Sequence, residues 1–110
     1  MQIININSQE QLYSIITRNA KCILFFYTIW CADCSNYENA FIQESRKYNN
    51  YGIVFCKINC DLLPVIQFFF DINIRKLPAT LFIYNNSIFS AVYGNRPLSL
   101  ENHCIELANL

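Results

Sequence analysis

The chain has no excess of either charge. Eight Lys and Arg face eight Asp and Glu across 110 residues, so no net field exists to draw in DNA, RNA or an anionic membrane. No secretory leader is expected from its first residues either. Met1 runs straight into Ile3, Ile4, Asn5 and Ile6, apolar and polar by turns, with no basic segment ahead of an apolar one. The longest uncharged stretch, Leu77 to Asn95, carries Pro78 and the Asn85-Asn86 pair, and a turn there would leave backbone groups unpaired in hydrocarbon. It therefore reads as two strands and a turn, not a membrane span. No internal repeat and no linker is visible, and a chain this short has no room for a second core, so one domain over residues 1–110 is expected. Glycine occurs only twice, beside abundant Asn and Ile. That is a compositional bias from which no function follows.

What is present is mostly apolar. Hydrophobic residues make up 54% of the chain, and a domain of this size buries about two-thirds of its unfolded surface, so its core needs no disulfide staples. Six cysteines without a leader then fit a reducing compartment, and the cytoplasm is the expected location.

Ile3 to Ile6 predicts a short strand. Ser8-Gln9-Glu10-Gln11 fits a capping box ahead of a helix over 9–19, with Leu12, Ile15 and Ile16 at helical spacing. Cys22 to Tyr27 is a continuous apolar run, as a strand buried on both faces would be. From Cys34 to about Tyr48, Tyr37, Phe41, Ile42 and Tyr48 alternate at threes and fours with Glu38, Gln43, Glu44, Arg46 and Lys47, which predicts an amphipathic helix. Ile53 to Ile58 is a further strand, and Pro64 suits the first turn of a helix through Phe70. Leu81 to Tyr84 and Ile88 to Tyr93 flank Asn85-Asn86-Ser87, where Asn tolerates the left-handed backbone of a tight hairpin. Ser99 is placed to cap a last helix with Leu100, Cys104 and Leu107 on one stripe. Strands alternating with helices and ending in a hairpin predict an α/β fold, a central mixed sheet covered by helices on both faces.

Trp30-Cys31-Ala32-Asp33-Cys34 falls where the buried strand gives way to the helix. Cysteines three apart on a helix share a face, so the two sulfurs can reach bonding distance. The free N–H groups and positive dipole end of the helix lie beside Cys31 and favour its thiolate, the attacking species in disulfide exchange. Cys31 is thus the expected nucleophile and Cys34 the resolving thiol. The competing reading, half of a metal site, needs two more ligands. Cys56 and Cys60, if on one strand, would be about 13 Å apart and unable to share an ion. Cys22, Cys56, Cys60 and Cys104 read as small buried hydrophobes. His103 reads as a solvated helix residue, not the partner of a catalytic cysteine, and Phe68-Phe69-Phe70 as a core segment with part left over for docking.

These residues resemble the thioredoxin family over essentially the whole chain. Trp-Cys-x-x-Cys after an apolar strand is the most specific part; Lys57-Ile58-Asn59-Cys60-Asp61 is similar to the family's third strand, Leu77-Pro78-Ala79-Thr80 to its cis-proline segment, and Tyr93-Gly94 to its last strand. The resemblance implies a thioredoxin fold, with Trp30, Leu77, Pro78, Tyr93 and Gly94 bordering a groove for a partner's cysteine region. It implies a cis Pro78 that presents the backbone of Leu77 to an extended substrate. It also implies a cytoplasmic, monomeric protein-disulfide reductase serving cell redox homeostasis and electron transport. Such a protein needs no bound cofactor or metal, and its electrons come from a thioredoxin reductase or an equivalent dithiol donor.

Three positions depart from the family. Ala32-Asp33 replaces Gly-Pro, and the Asp33 charge opposes a thiolate at Cys31 while suiting the helix dipole. Phe25 stands where the family has a buried carboxylate, the proton acceptor for the resolving thiol, which leaves Asp33 or a water for that task with Lys57 nearby. Asn39 replaces a helix-kinking proline, so this helix is expected to run straighter. Two other classes compete: a redox-inactive thioredoxin-fold binding or assembly subunit, and a zinc or iron–sulfur protein.

Overall fold

The computed structural model describes residues 3–110, apart from the side chains of residues 67–69. Five strands form one sheet: β1 (Ile4–Asn5), β2 (Lys21–Tyr27), β3 (Ile53–Asn59), β4 (Ala79–Tyr84) and β5 (Ser87–Tyr93), in the spatial order β1-β3-β2-β4-β5. β1, β3 and β2 run parallel, and β4 and β5 are antiparallel additions, so the sheet is mixed. The helices are α1 (Gln9–Arg18), α2 (Ala32–Lys47), α3 (Pro64–Phe69) and α4 (Pro97–Ala108), with a short 3-10 turn at Ile74–Lys76. Among the described residues no helix is long and apolar enough to cross a membrane.

β2 is central, and its apolar run is buried from Cys22 to Phe26. Alternation sends Cys22, Leu24 and Phe26 to one face, where the Cys22 sulfur lies 3.8 Å from the Ile15 carbonyl of α1 and the Phe26 ring meets Phe70 at 5.6 Å. Ile23 and Phe25 go to the other face, under α2. Phe25 there packs against Tyr37 at 5.4 Å and Phe41 at 5.0 Å, and Phe41 reaches Phe55 of β3 at 5.5 Å. The parallel register sets Phe25 beside Lys57 and Tyr27 beside Asn59.

The ends of elements follow local chemistry. Ser8 Oγ accepts from the Gln11 N–H at 3.1 Å, and Gln11 Oε1 reaches back to the Asn7 N–H, closing the box one residue earlier than expected. The hairpin turn is the pair Asn85 and Asn86, both left-handed at φ 49° and 69°. Three expectations need correction. Ser99 does not cap α4: the helix begins at Pro97, which lacks the N–H that a helix start leaves unpaired, and Ser99 sits in the first turn. His103 is not solvated but half-buried, stacked on Phe82 at 5.2 Å with Nδ1 2.7 Å from the Ser99 carbonyl. Glu44, expected on the wet face of α2, is buried beside α4 with Lys47 3.2 Å away. The docking role given to Phe68 and Phe69 lies outside the described residues, and Phe70 is half-buried.

Candidate active site

The chain leaves β2 through Thr28, Ile29 and Trp30 and enters α2 at Ala32, two residues earlier than its periodicity suggested. Cys31 is consequently the N-cap. Its Sγ accepts from the Cys34 N–H at 3.2 Å, and its carbonyl from the Ser35 N–H at 3.3 Å. Cys31 and Cys34 form a disulfide with their Cα atoms 5.2 Å apart. The two sulfurs are not equivalent. Cys31 is half-buried at the surface, whereas Cys34 is 2% exposed and belongs to the core.

An open cleft of about 530 Å³ lies beside Cys31, lined by Trp30, Ala32, Asp33, Ile74, Arg75 and Leu77. Trp30 is 64% exposed, and its Nε1 points to Asp61 Oδ1 at 3.4 Å, so it forms a rim of the cleft and no part of the core. The Leu77-Pro78 bond is cis. Pro78, Tyr93 and Gly94 do not line the cleft but stand next to it: the Pro78 carbonyl accepts from the Gly94 N–H at 2.7 Å, and Tyr93 lies opposite Ala79 in the sheet. Ile74 and Arg75 escaped the sequence reading because the 3-10 turn that delivers them has no periodic signature.

Asp33 is exposed in the first turn of α2. Lys57 is half-buried on β3, with its ammonium 3.1 Å from Glu38 Oε1 and 4.7 Å from the centre of the Tyr27 ring. Its carboxylate partner thus comes from α2, while Phe25 is fully enclosed by aromatic rings. α2 runs unbroken for 16 residues through Asn39.

The other four cysteines are free and buried. Burial pushes Cys22 up to about 11 and, with Cys22 nearby, Cys56 up to about 12. Burial and the neighbouring Asp61 carry Cys60 to about 11, and burial together with Glu44 raises Cys104 as well. Thiols held this far above neutrality carry almost no thiolate and are poor nucleophiles. Among the described residues no three His, Cys, Asp or Glu side chains are grouped to hold a metal ion.

A solvent-accessible sulfur capping a helix, bridged to a buried one a turn later, is arranged to open and close. A family model for thioredoxin matches residues 3–106 of the sequence. The chain belongs to the thioredoxin family. Among curated relatives, it is 27% identical to monothiol glutaredoxin-4 of Saccharomyces cerevisiae, over 99% of this chain but 48% of that protein, so it spans about half the relative's length. It is 28% identical to thioredoxin-1 of Drosophila yakuba over 77% of each chain. The oxidised thioredoxin from Plasmodium falciparum superposes with a TM-score of 0.87, covering 97% of this chain and 99% of that one at 22% identity, which shows a shared fold. Thioredoxin-family membership and the Cys31–Cys34 pair together make this a thiol–disulfide oxidoreductase in the general sense.

Proposed function

We propose that the chain is a cytoplasmic, monomeric reductase of protein disulfides. The Cys31 thiolate attacks a partner's disulfide, breaking its S–S bond and forming a mixed disulfide. Cys34 then attacks Cys31 Sγ, the partner leaves as a thiolate, and the Cys31–Cys34 bond closes. A thioredoxin reductase or another dithiol donor returns two electrons to reopen it, and this cycle serves cell redox homeostasis.

The observation that carries the reading is the difference between the two sulfurs. Cys31 borders an open cleft and takes an N–H from the start of α2, an environment that favours thiolate, while Cys34 is 2% exposed. An outside disulfide can meet Cys31, and only Cys31 can meet Cys34. The cleft between Trp30 and Leu77 would receive an extended segment of the partner around its cysteine.

Insulin reduction in the presence of dithiothreitol tests this. The purified protein should precipitate insulin faster than dithiothreitol alone, and Cys31→Ser should remove the acceleration. Equal rates with and without protein would end the reductase reading. The enclosed Phe25, which puts no carboxylate beneath the cysteines, favours a second reading, a binding or assembly subunit that does not turn over. Slow thiol reaction at neutral pH with partner capture that survives Cys31→Ser would mark that case.

A further inference from the structure

For Cys34 to attack, its proton must go somewhere. The thiolate is the nucleophile, and a sulfur 2% exposed has little water to accept the proton. β2 offers no carboxylate on the side facing α2, because Phe25 fills that position among the rings of Tyr27, Tyr37 and Phe41. Asp61 is engaged by Trp30 Nε1, and Asp33 is exposed one residue before Cys34, about 100° around the helix.

Glu38 is placed differently. It follows Cys34 by four residues on α2, so the two share a face with Cβ atoms about 5–6 Å apart. Long side chains on a helix lean back toward its N-terminus and cover the residue one turn earlier, here Cys34. The bond to Lys57, which rises from β3, ties the Glu38 carboxylate to the sheet side of α2, the side into which Cys34 is buried. The groups at this spot are Lys57 from β3, the Tyr27 ring from β2 over which the Lys57 ammonium lies, and Cys31 bridged to Cys34. Of the nearby carboxylates, Asp33 is exposed and Asp61 is held by Trp30.

We propose that Glu38, held by Lys57, is the proton acceptor for Cys34 during closure of the bridge, an assignment that rests on the oxidoreductase reading above. The Cys34 S–H proton passes to the Glu38 carboxylate as the sulfur bonds to Cys31 Sγ. The Cys31–partner S–S bond breaks, and its electron pair leaves on the partner's sulfur. Glu38 then returns the proton to that thiolate or to water. The negative charge thus moves from the Glu38 carboxylate to the departing partner sulfur, and Glu38 regains it opposite Lys57 when it hands the proton on. This assignment gives to Glu38 the role that the sequence left to Asp33 or a water.

The test is stopped-flow reaction of the reduced protein with 5,5′-dithiobis(2-nitrobenzoate), which serves as the partner disulfide. Attack by Cys31 releases one thionitrobenzoate at a rate that scales with reagent; attack by Cys34 releases a second at a rate that does not. In Glu38→Gln the second phase should slow about tenfold near neutral pH, a smaller factor than an enclosed general base gives because this carboxylate is partly solvated. The gap should narrow as pH rises, because hydroxide in the solvent increasingly takes the thiol proton unaided. Glu38→Asp, which keeps a carboxylate, should recover part of the rate. Superimposable wild-type and Glu38→Gln second phases at every pH would overturn the assignment and leave the oxidoreductase reading standing, as would an equal slowing at every pH, the mark of a structural role. A wild-type protein that releases a single equivalent would overturn both.

Discussion

The hydroxyls of Tyr37 and Thr80 lie 2.7 Å apart in the core, joining α2 to β4 where no water reaches. Burial raises the Tyr37 phenol well above its ordinary value, so it stays neutral, and the pair satisfies itself. Removing one partner leaves a buried hydroxyl unpaired, which costs about 1–3 kcal/mol, whereas removing both can be nearly neutral. Tyr37→Phe and Thr80→Val should each lower the urea midpoint, and the double variant should be clearly less damaged than the sum. Additive losses would mean the bond contributes nothing.

The β4–β5 turn sets a second expectation. Asn85 and Asn86 both hold positive φ, a conformation that costs an L-residue with a Cβ roughly 1–2 kcal/mol and that glycine adopts freely. Asn86→Ala should therefore destabilise the protein by about 1 kcal/mol, and Asn86→Gly should fall within a few tenths of wild type. Thermal unfolding of the three proteins decides it; equal losses from Ala and Gly would place the effect in the Asn side chain instead.

Near Cys31, one charge acts in two directions. Asp33 is exposed in the first turn of α2, where its charge suits the helix dipole but disfavours a thiolate two residues away. Asp33→Asn should speed iodoacetamide alkylation of Cys31 about two- to fivefold at neutral pH and low salt, while lowering helix stability by about 0.3–1 kcal/mol. Added salt should shrink the rate difference, since an exposed charge is screened. An unchanged alkylation rate in Asp33→Asn would show that the Cys31 sulfur does not sense this carboxylate.

Signals confined to a few neighbouring residues were legible, and partners chosen by the sheet were not. The unbroken Cys22–Tyr27 run announced a strand buried on both faces, and Asn85-Asn86 announced a tight hairpin, because each is a local property of backbone and burial. The position of the two cysteines at a strand–helix junction was equally local. That Lys57 pairs with Glu38 depends on β3 lying beside β2 with Phe25 next to Lys57, under a helix whose rotation no pattern of threes and fours fixes to within one residue. Glu44 shows the same limit: its sequence neighbours mark it as wet, and only the packing of α4 against α2 buries it. Ile74 and Arg75 reach the cleft by a turn too short to leave a period.

The buried thiols give the protein an alkaline weakness whose sign can be worked out. Cys22, Cys56 and Cys60 are raised by burial from an ordinary 9.0 to about 11, 12 and 11. Above pH 9 the unfolded chain gives up these protons while the folded chain keeps them, so the unfolded state binds fewer protons and stability falls as pH rises. The stabilisation is whole below the unfolded value and is lost progressively up to the folded ones. Cys56→Ala should cost on the order of 1 kcal/mol at neutral pH, through the lost sulfur's packing, yet decline less than wild type between about pH 8 and about pH 10. Urea midpoints measured across that window for both proteins, kept reduced, test the point: parallel declines would show that Cys56 ionises as readily in the folded chain as in the unfolded one.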